Sequence, residues 1–502
     1  MFIHSVKTPR GITVQFGVPG PNQKNHISLL TGPNGSGKTD VVASIAQVFH
    51  GASKKTDAIV KWSKGSRFYT TTAPRPRYEE DEEYDYEYDP IRLVAQTFSP
   101  FSRFPAARRP SSQYLAAIYA RGNETEENYV CIGFNQKSRV ELRKFSFSII
   151  ENAILRLSER PNTARVAFEV LRELNFKEGI ALKYISDKKL SYIIEIIDDS
   201  DRLERTLAYF AKTGELNLGN EIFKGRVLQR LLRELRAGDV NETSEYLRHA
   251  INLISEHSTG KRIIKRRRVD AYNYTAFKGE QSMSSDFAYL QAFSVLSRLE
   301  LIRIDSCELQ PIGGAAIDIR RASSGQQQML CSIFGLAAAV DDHTVVLIDE
   351  PELSLHPRWQ MHFFKYLASI LDSVNGCHAI IATHSPLLAQ AAALHNVQVI
   401  SMGAESVVEK PALSSRATGN SVEKMLVEIF DTPIPDSLHI SKEIFGLITK
   451  AESGTSLDKM DSSEQLKKYL TLYQREGEGS REMTSLLAKA LTLIESAPPA
   501  QS

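Results

Sequence analysis

Two apolar rhythms alternate along this chain. Residues 12–16 and 26–30 alternate apolar and polar side chains around Gly, Pro and Asn turns, which predicts short strands. Apolar-rich runs at 345–348, 378–384 and 397–400 predict buried parallel strands. Residues 92–100 read as a strand running into a polar loop. Between these runs, 40–49, 327–340 and 357–374 carry apolar residues at helical spacing. Across 140–260, Leu, Ile and Phe recur at helical intervals with Arg and Glu between them, as in 227–235, which predicts a mostly helical insertion. No heptad run there is long enough for an extended coiled coil. Residues 420–495 predict a charged helical tail. The pattern divides the chain into an N-terminal α/β lobe (1–140), a helical insertion (141–284), a C-terminal α/β lobe (285–410) and a helical tail (411–502).

Bulk composition narrows the class of partner. The chain has 502 residues, 42% of them apolar, and a formal net charge of +1. A balanced charge gives no global field toward nucleic acid or membrane, so such contacts need a local patch. Two patches exist. An acidic run, 79–89, is either a solvated loop or a mimic of nucleic acid that docks on a basic partner. A basic cluster, Lys261, Arg262 and Lys265 to Arg268, is either a solvated face or a nucleic-acid contact. Cys131, Cys307, Cys331 and Cys377 are scattered, without zinc-like spacing. No stretch approaches the roughly 20 apolar residues of a membrane span, and the first residues lack signal-peptide order. The expectation is a cytoplasmic protein with no membrane contact.

Chemistry gathers at five places. Gly32-x-x-x-x-Gly37-Lys38-Thr39 follows a strand and opens a helix, the context of a phosphate-binding loop. Gly32, Asn34, Gly35, Ser36 and Gly37 would wrap phosphate oxygens with backbone N–H groups. Lys38 would reach the β- and γ-phosphates, and the Thr39 hydroxyl would ligate Mg2+. Asp349 and Glu350 end a buried strand, where Asp349 would anchor Mg2+ and Glu350 would polarise the attacking water. Ser324, Gly325 and Gln326 stand just before a predicted helix, a Ser/Gly anion site. His384 ends the next apolar strand and would sense the γ-phosphate, while Gln96 would join Mg2+ to the water. The cofactors this pattern implies are ATP and Mg2+.

The order of P-loop, Gln96, SSGQQ at 323–327, LIDEPE at 347–352, LHP at 355–357 and THS at 383–385 resembles the ABC-type ATPase head. That resemblance implies a mixed sheet with flanking helices. It also implies a head-to-head dimer, or a higher oligomer of dimers, in which Ser324 to Gln326 of one copy close over ATP held by another. Residues 353–356 would form the D-loop at the seam. The signature has Ala322 and Ser324 where the usual LSGGQ has Leu and Gly. The DEPE…LHP and THSP spellings are similar to SMC-like and OLD-like ATPases. With no TOPRIM pattern after Met402, the chain resembles the PtuA-like ATPases of Septu defence systems and of some retrons. The resemblance implies an HNH nuclease partner, PtuB-like, or a reverse transcriptase with msDNA if the system is a retron. The competing expectation is an SMC- or recombination-like DNA-maintenance ATPase acting on DNA through 261–268.

Overall fold

A computed structural model describes residues 1–50 apart from 18–19 and 21–22, 57–72, 92–105, 129–133 and parts of 149–223. It also describes 240–298 apart from 265–266 and 277–286, 301–410 apart from 396 and 404–406, and 422–496 apart from 429, 431, 436 and 475–480. The acidic run 79–89 and the stretch 227–235 lie outside the described residues.

The organising element is a seven-stranded sheet. Its order is Val407–Lys410, Gln398–Met402, His26–Thr31, His378–Ala382, Val345–Asp349, Leu93–Thr97, Tyr129–Gly133. Every pairing is parallel except that of the edge strand Val407–Lys410. All five positions of 345–349, 378–382 and 93–97 are buried. Covering on both faces accounts for their continuous apolar runs, since neither face has to be polar.

Two cores sit on the two faces. Leu93, Ala95, Val345 and Leu347 pack with Val41, Val42 and Ile45 of the helix Lys38–His50 and with a small antiparallel N-terminal sheet. Val94, Ile348 and Ile381 pack with the helices Ser324–Ala339, Pro357–Leu371 and Pro386–Ala393. At about 25 cal/mol per Å2 of apolar surface removed from water, burial of these two faces contributes most to holding the head together. The expected α/β architecture, with a mixed sheet, flanking helices and a helical C-terminal region, is the one the chain forms. In that C-terminal region, Leu438–Ser453, Ser456–Gln474 and Arg481–Ser496 enclose their own core around Ile444, Leu466, Tyr473 and Leu487.

The insertion differs from the helical expectation. Helices Pro161–Glu173 and Val240–Ser255 are present. They accompany a five-stranded antiparallel sheet, ordered Ser258–Ile264, Arg267–Ala276, Phe176–Ser186, Ile302–Pro311, Ile317–Asp318. Buried Ile180, Leu182 and Tyr184 alternate at period two, a strand signal that the surrounding Leu/Arg spacing obscures. The strand Ile302–Pro311 pairs directly with Phe176–Ser186. This sheet therefore continues across the 284/285 boundary read from the apolar pattern. Among the described residues, no helix is long and apolar enough to cross a membrane.

Candidate nucleotide site

The parallel register aligns the C-terminal ends of three strands. Ile381 pairs with both Leu29 and Ile348, and Ala382 with both Leu30 and Asp349. The phosphate-binding loop, the acidic strand end and the Thr383–His384 turn therefore leave the sheet at one level, where open α/β sheets bind ligands.

Within the loop, Gly32 takes φ +139°, and a Cβ there would lie 2.2 Å from the Met402 carbonyl oxygen. No other residue fits this turn. Gly35 and Gly37 also have positive φ, while Asn34 and Gly35 are exposed at the loop's crest. Lys38 is buried, and its Nζ donates to the carbonyls of Gly32 at 2.8 Å and Pro33 at 2.9 Å and stands 3.4 Å from Ser36 Oγ. Burial lowers its pKa, and the charges of Glu352, Glu350 and Asp349 oppose that shift.

Thr39 Oγ1 donates to Asp349 Oδ1 at 3.0 Å, tying the loop's helix to the acidic strand. Asp349 is 3% exposed. Burial pushes its pKa up to about 7, helped by Glu350 and Glu352 and opposed by the Thr39 hydrogen bond and Lys38. The Thr39 hydroxyl and the Asp349 carboxylate are hard oxygen donors of the kind Mg2+ takes. A carboxyl this difficult to ionise alone is suited to a cation beside it.

Glu350 adopts φ +50°, and Ser354 φ +60°. These are two of four non-glycine residues with positive φ among those described, and they sit five positions apart inclusive of both ends. Left-handed backbone at such residues costs about 1–3 kcal/mol and persists where the surroundings dictate it. Here the Glu350 N–H donates to the Ala382 carbonyl at 2.9 Å, turning the chain sharply off the strand. Next in the turn, Glu352 is buried and accepts from Thr383 Oγ1 at 2.7 Å and from the His384 N–H at 2.8 Å. His384 Nδ1 lies 3.3 Å from Glu352 Oε1 and 3.8 Å from Glu350 Oε1. Its ring is 42% exposed, so it faces the open side of the site.

The signature forms the first turn of a helix. Ser324–Ala339 begins three residues earlier than the apolar spacing indicates. Ser323 is its N-cap in a reciprocal box: Ser323 Oγ accepts from the Gln326 N–H, and Gln326 Oε1 accepts from the Ser323 N–H. The N–H groups of Ser324 and Gly325 have no partner within the helix. Gly325 is buried, and a Cβ there would lie 2.5 Å from the Ser354 carbonyl oxygen and 2.9 Å from the Trp359 ring. That close approach packs the signature turn onto the far end of the acidic loop. Gln326 Nε2 reaches the Leu174 carbonyl at 3.4 Å.

Gln96 does not join this constellation. It alternates with Ala95 and Thr97, so it shares the sheet face of Val94 and Ile348, away from the phosphate-loop helix. It is 1% exposed and its Nε2 donates to Ser332 Oγ. The residue beside Asp349 on the loop's face is Thr97, its partner in register. Apolar spacing located the strand correctly, but the parity of one residue decides the face.

Glu352 and Asp40 are further residues at the site that the motifs did not single out. Asp40 follows Thr39 and pairs with Arg10 at 2.8 Å and with Arg103. The signal for Glu352 was present as the second acid of the Glu350-Pro351-Glu352 triplet.

Comparison with known proteins agrees with this chemistry. A family model described as the AAA ATPase domain matches residues 22–389. Protein ea59 of Escherichia phage lambda is 33% identical over 134 residues, covering 24% of this chain and 25% of that protein. The retron Vc95 probable ATPase of Vibrio cholerae serotype O1 biovar El Tor is 22% identical over 304 residues, covering 57% of this chain and 56% of that protein. The chain thus matches a quarter and just over half of the lengths of these relatives. Among solved structures, the Smc head domain with an extended coiled coil bound to the C-terminal domain of ScpA, from Pyrococcus furiosus, is 12% identical with a TM-score of 0.29. That alignment covers 89% of this chain and 100% of the other. The Smc head domain with a coiled coil and joint from Pyrococcus yayanosii is 14% identical with a TM-score of 0.28, covering 85% and 99%.

Proposed function

The chain belongs to the AAA ATPase domain family, and we propose that it is an ATP-driven switch that binds and hydrolyses Mg-ATP between two copies of itself. The observation that carries this reading is the Thr39–Asp349 hydrogen bond, which joins phosphate loop to acidic strand beneath Glu350 and His384. Backbone N–H groups from Gly32 to Gly37 and the Lys38 ammonium bind the phosphates. Thr39 and Asp349 would hold Mg2+, which would supply positive charge to the phosphate oxygens. Glu350 orients the attacking water and accepts its proton. His384, held through the Glu352 contacts at 3.3 Å and at its backbone N–H, would read the γ-phosphate. Ser324, Gly325 and Gln326 serve the site of the second copy, with two free N–H groups at a helix start as anion donors.

The finer reading is an antiviral role as a PtuA-like cytoplasmic subunit. In that reading ATP occupancy controls a partner HNH nuclease, or a retron assembly of reverse transcriptase and msDNA. It is supported by the Vibrio cholerae relative, a probable ATPase of a retron. Glu350→Gln should trap ATP-bound dimers, seen by mass photometry with Mg-ATP, and should abolish phosphate release. Unchanged turnover would remove Glu350 from the role of base. Co-purification with the protein of an adjacent nuclease gene tests the partner, and its failure leaves the ATPase reading intact. A second reading, direct action on DNA, is favoured by the run of basic residues Lys261, Arg262 and Lys265 to Arg268 in the sequence.

A further inference from the structure

The helix Pro161–Glu173 belongs to the insertion, yet it packs on two helices of the C-terminal α/β lobe. Its apolar face, Ala164, Ala167, Val170, Leu171 and Leu174 at helical spacing, is buried in the core that also holds Ile333 of Ser324–Ala339 and Phe363 of Pro357–Leu371. Acids flank that face. Glu173 Oε1 lies 2.9 Å from Arg358 Nε and 3.3 Å from His362 Nδ1. Glu169 Oε2 lies 3.8 Å from Lys365 Nζ. Residue numbers fall along one helix as they rise along the other, so the two run antiparallel. The end of Pro161–Glu173 therefore meets the start of Pro357–Leu371.

Both charges of the main pair have the wrong sign for their own helices. Glu173 is the last residue of its helix, where the macrodipole disfavours an anion. Arg358 stands in the first turn of the other, where it disfavours a cation. An ordinary surface pair would gain more with the two charges exchanged. Glu173 is also withdrawn from water, its side chain 17% exposed against 66% for Arg358. Breaches of local helix chemistry concentrate where a fold keeps a particular geometry for function.

That geometry brackets the signature turn. Directly after Glu173, the Leu174 carbonyl accepts from Gln326 Nε2 at 3.4 Å, and Asn175 stops the helix with φ +66°. Directly after Arg358, the Trp359 ring lies 2.9 Å from where a Cβ on Gly325 would sit. Just before it, His356 Nδ1 accepts from the Arg358 N–H at 3.3 Å, at the far end of the acidic loop. The Glu173–Arg358 pair thus joins two elements that touch Gln326 on one side and Gly325 on the other. The phosphate-loop helix packs on the opposite face of the seven-stranded sheet.

We propose that Glu173 is a positioning residue for the signature. Through Arg358 and His362 it holds the end of Pro161–Glu173 and the first turn of Pro357–Leu371 at the spacing that presents Ser324 to Gln326 to nucleotide on a second copy. The proposal rests on the reading of a nucleotide site shared between two copies. A chain without the Glu173 carboxylate binds ATP on its own phosphate loop but does not complete the site of its twin. The defect belongs to the copy opposite the bound nucleotide.

The test uses the full chain and reads binding of a fluorescent ATP analogue, steady-state turnover, and turnover of mixed variants. Glu173→Ala should bind the analogue within about twofold of wild type while kcat falls by about 10- to 100-fold, the scale of a misplacement near 1 Å. Glu173→Gln, which keeps an acceptor for Arg358, should fall less, and it decides the matter if the alanine variant does not fold. The exchange Glu173→Arg with Arg358→Glu remakes the pair and should recover most of the lost turnover. In the mixing arm, Lys38→Ala contributes an intact signature and no working phosphate loop. Mixed with Glu173→Ala, it should restore about a quarter of the wild-type rate, because half of randomly formed dimers are mixed and one of their two sites is whole. Gln326→Ala mixed with Lys38→Ala is the control for the shared site. Turnover of Glu173→Ala within about twofold of wild type overturns the proposal, as does analogue binding that falls in step with turnover. An exchange that recovers nothing overturns it too. Rescue of Gln326→Ala without rescue of Glu173→Ala overturns it and leaves the shared site standing. Failure of both mixtures overturns the shared site itself.

Discussion

Replacing Asp349 with Asn should stabilise the nucleotide-free protein while removing its activity. Asp349 is 3% exposed, and its pKa stands at about 7 against 3.8 for the free side chain. The folded state therefore holds the proton more tightly than the unfolded chain. The stability linked to this group is fully present below about pH 4 and is lost as pH rises through about 7. Three pKa units at about 1.36 kcal/mol each set an upper bound near 4 kcal/mol for keeping this carboxylate ionised in the fold. An Asn carbonyl still accepts from Thr39, whose bond is 3.0 Å long. Its added N–H2 needs a partner, which costs about 1–2 kcal/mol. The net expectation is a gain of about 2 kcal/mol at pH 8 that vanishes by pH 5. Urea unfolding in EDTA, followed by fluorescence of the two tryptophans, measures it at both pH values. A gain of the same size at pH 5 and pH 8, or no gain at pH 8, would refute the burial argument. Mg-ATP should reverse the order, since it stabilises only the protein that binds it.

Other substitutions separate the parts of the site. Lys38→Ala should abolish binding of a fluorescent ATP analogue, because a small apolar side chain leaves the phosphates without their ammonium. Glu352→Ala leaves the Thr383 hydroxyl and the His384 N–H without their acceptor; a loss of about 2–4 kcal/mol in urea unfolding is expected, together with lost turnover. Gly325→Ala puts a methyl 2.5 Å from the Ser354 carbonyl oxygen and 2.9 Å from Trp359; it should cost about 1–3 kcal/mol and shift the tryptophan emission. Gln96→Met should lower stability by about 1 kcal/mol through the lost Ser332 contact yet leave ATP turnover within twofold. A large fall in turnover would return Gln96 to the site.

Local signals made much of this molecule legible. The phosphate loop announces itself because its glycines, lysine and threonine act within one turn of chain. The buried strands do so because a sheet covered on both faces favours largely apolar runs. What escaped reading depends on placement between segments. Gln96 and Thr97 are adjacent in sequence, but the pleat sends them to opposite faces, and only the pairing with Asp349 says which faces the loop. The five-stranded sheet escaped because Phe176–Ser186, Arg267–Ala276 and Ile302–Pro311 are far apart in sequence and find one another only in the fold.

Glu352 shows most directly why one segment cannot disclose a site. In sequence it is one acid after Glu350 and Pro351. In the fold it fastens the end of a neighbouring strand, accepting from Thr383 and His384. The same turn continues to Ser354, whose carbonyl lies against Gly325, and Gln328 Nε2 donates to the Pro351 carbonyl at 2.9 Å. One strained loop therefore touches both the half-site that holds nucleotide and the signature turn that would serve a second copy. Were Glu350 or His384 to shift, packed backbone rather than flexible side chains would carry that shift to Gly325. The left-handed backbone at Glu350 carries a cost of about 1–3 kcal/mol that glycine would not incur. On that account Glu350→Gly, which removes the strain, should weaken coupling between ATP and dimerisation more than Glu350→Gln does. Mass photometry at matched ATP occupancy compares the two, and equal dimer fractions would sever the loop from the coupling.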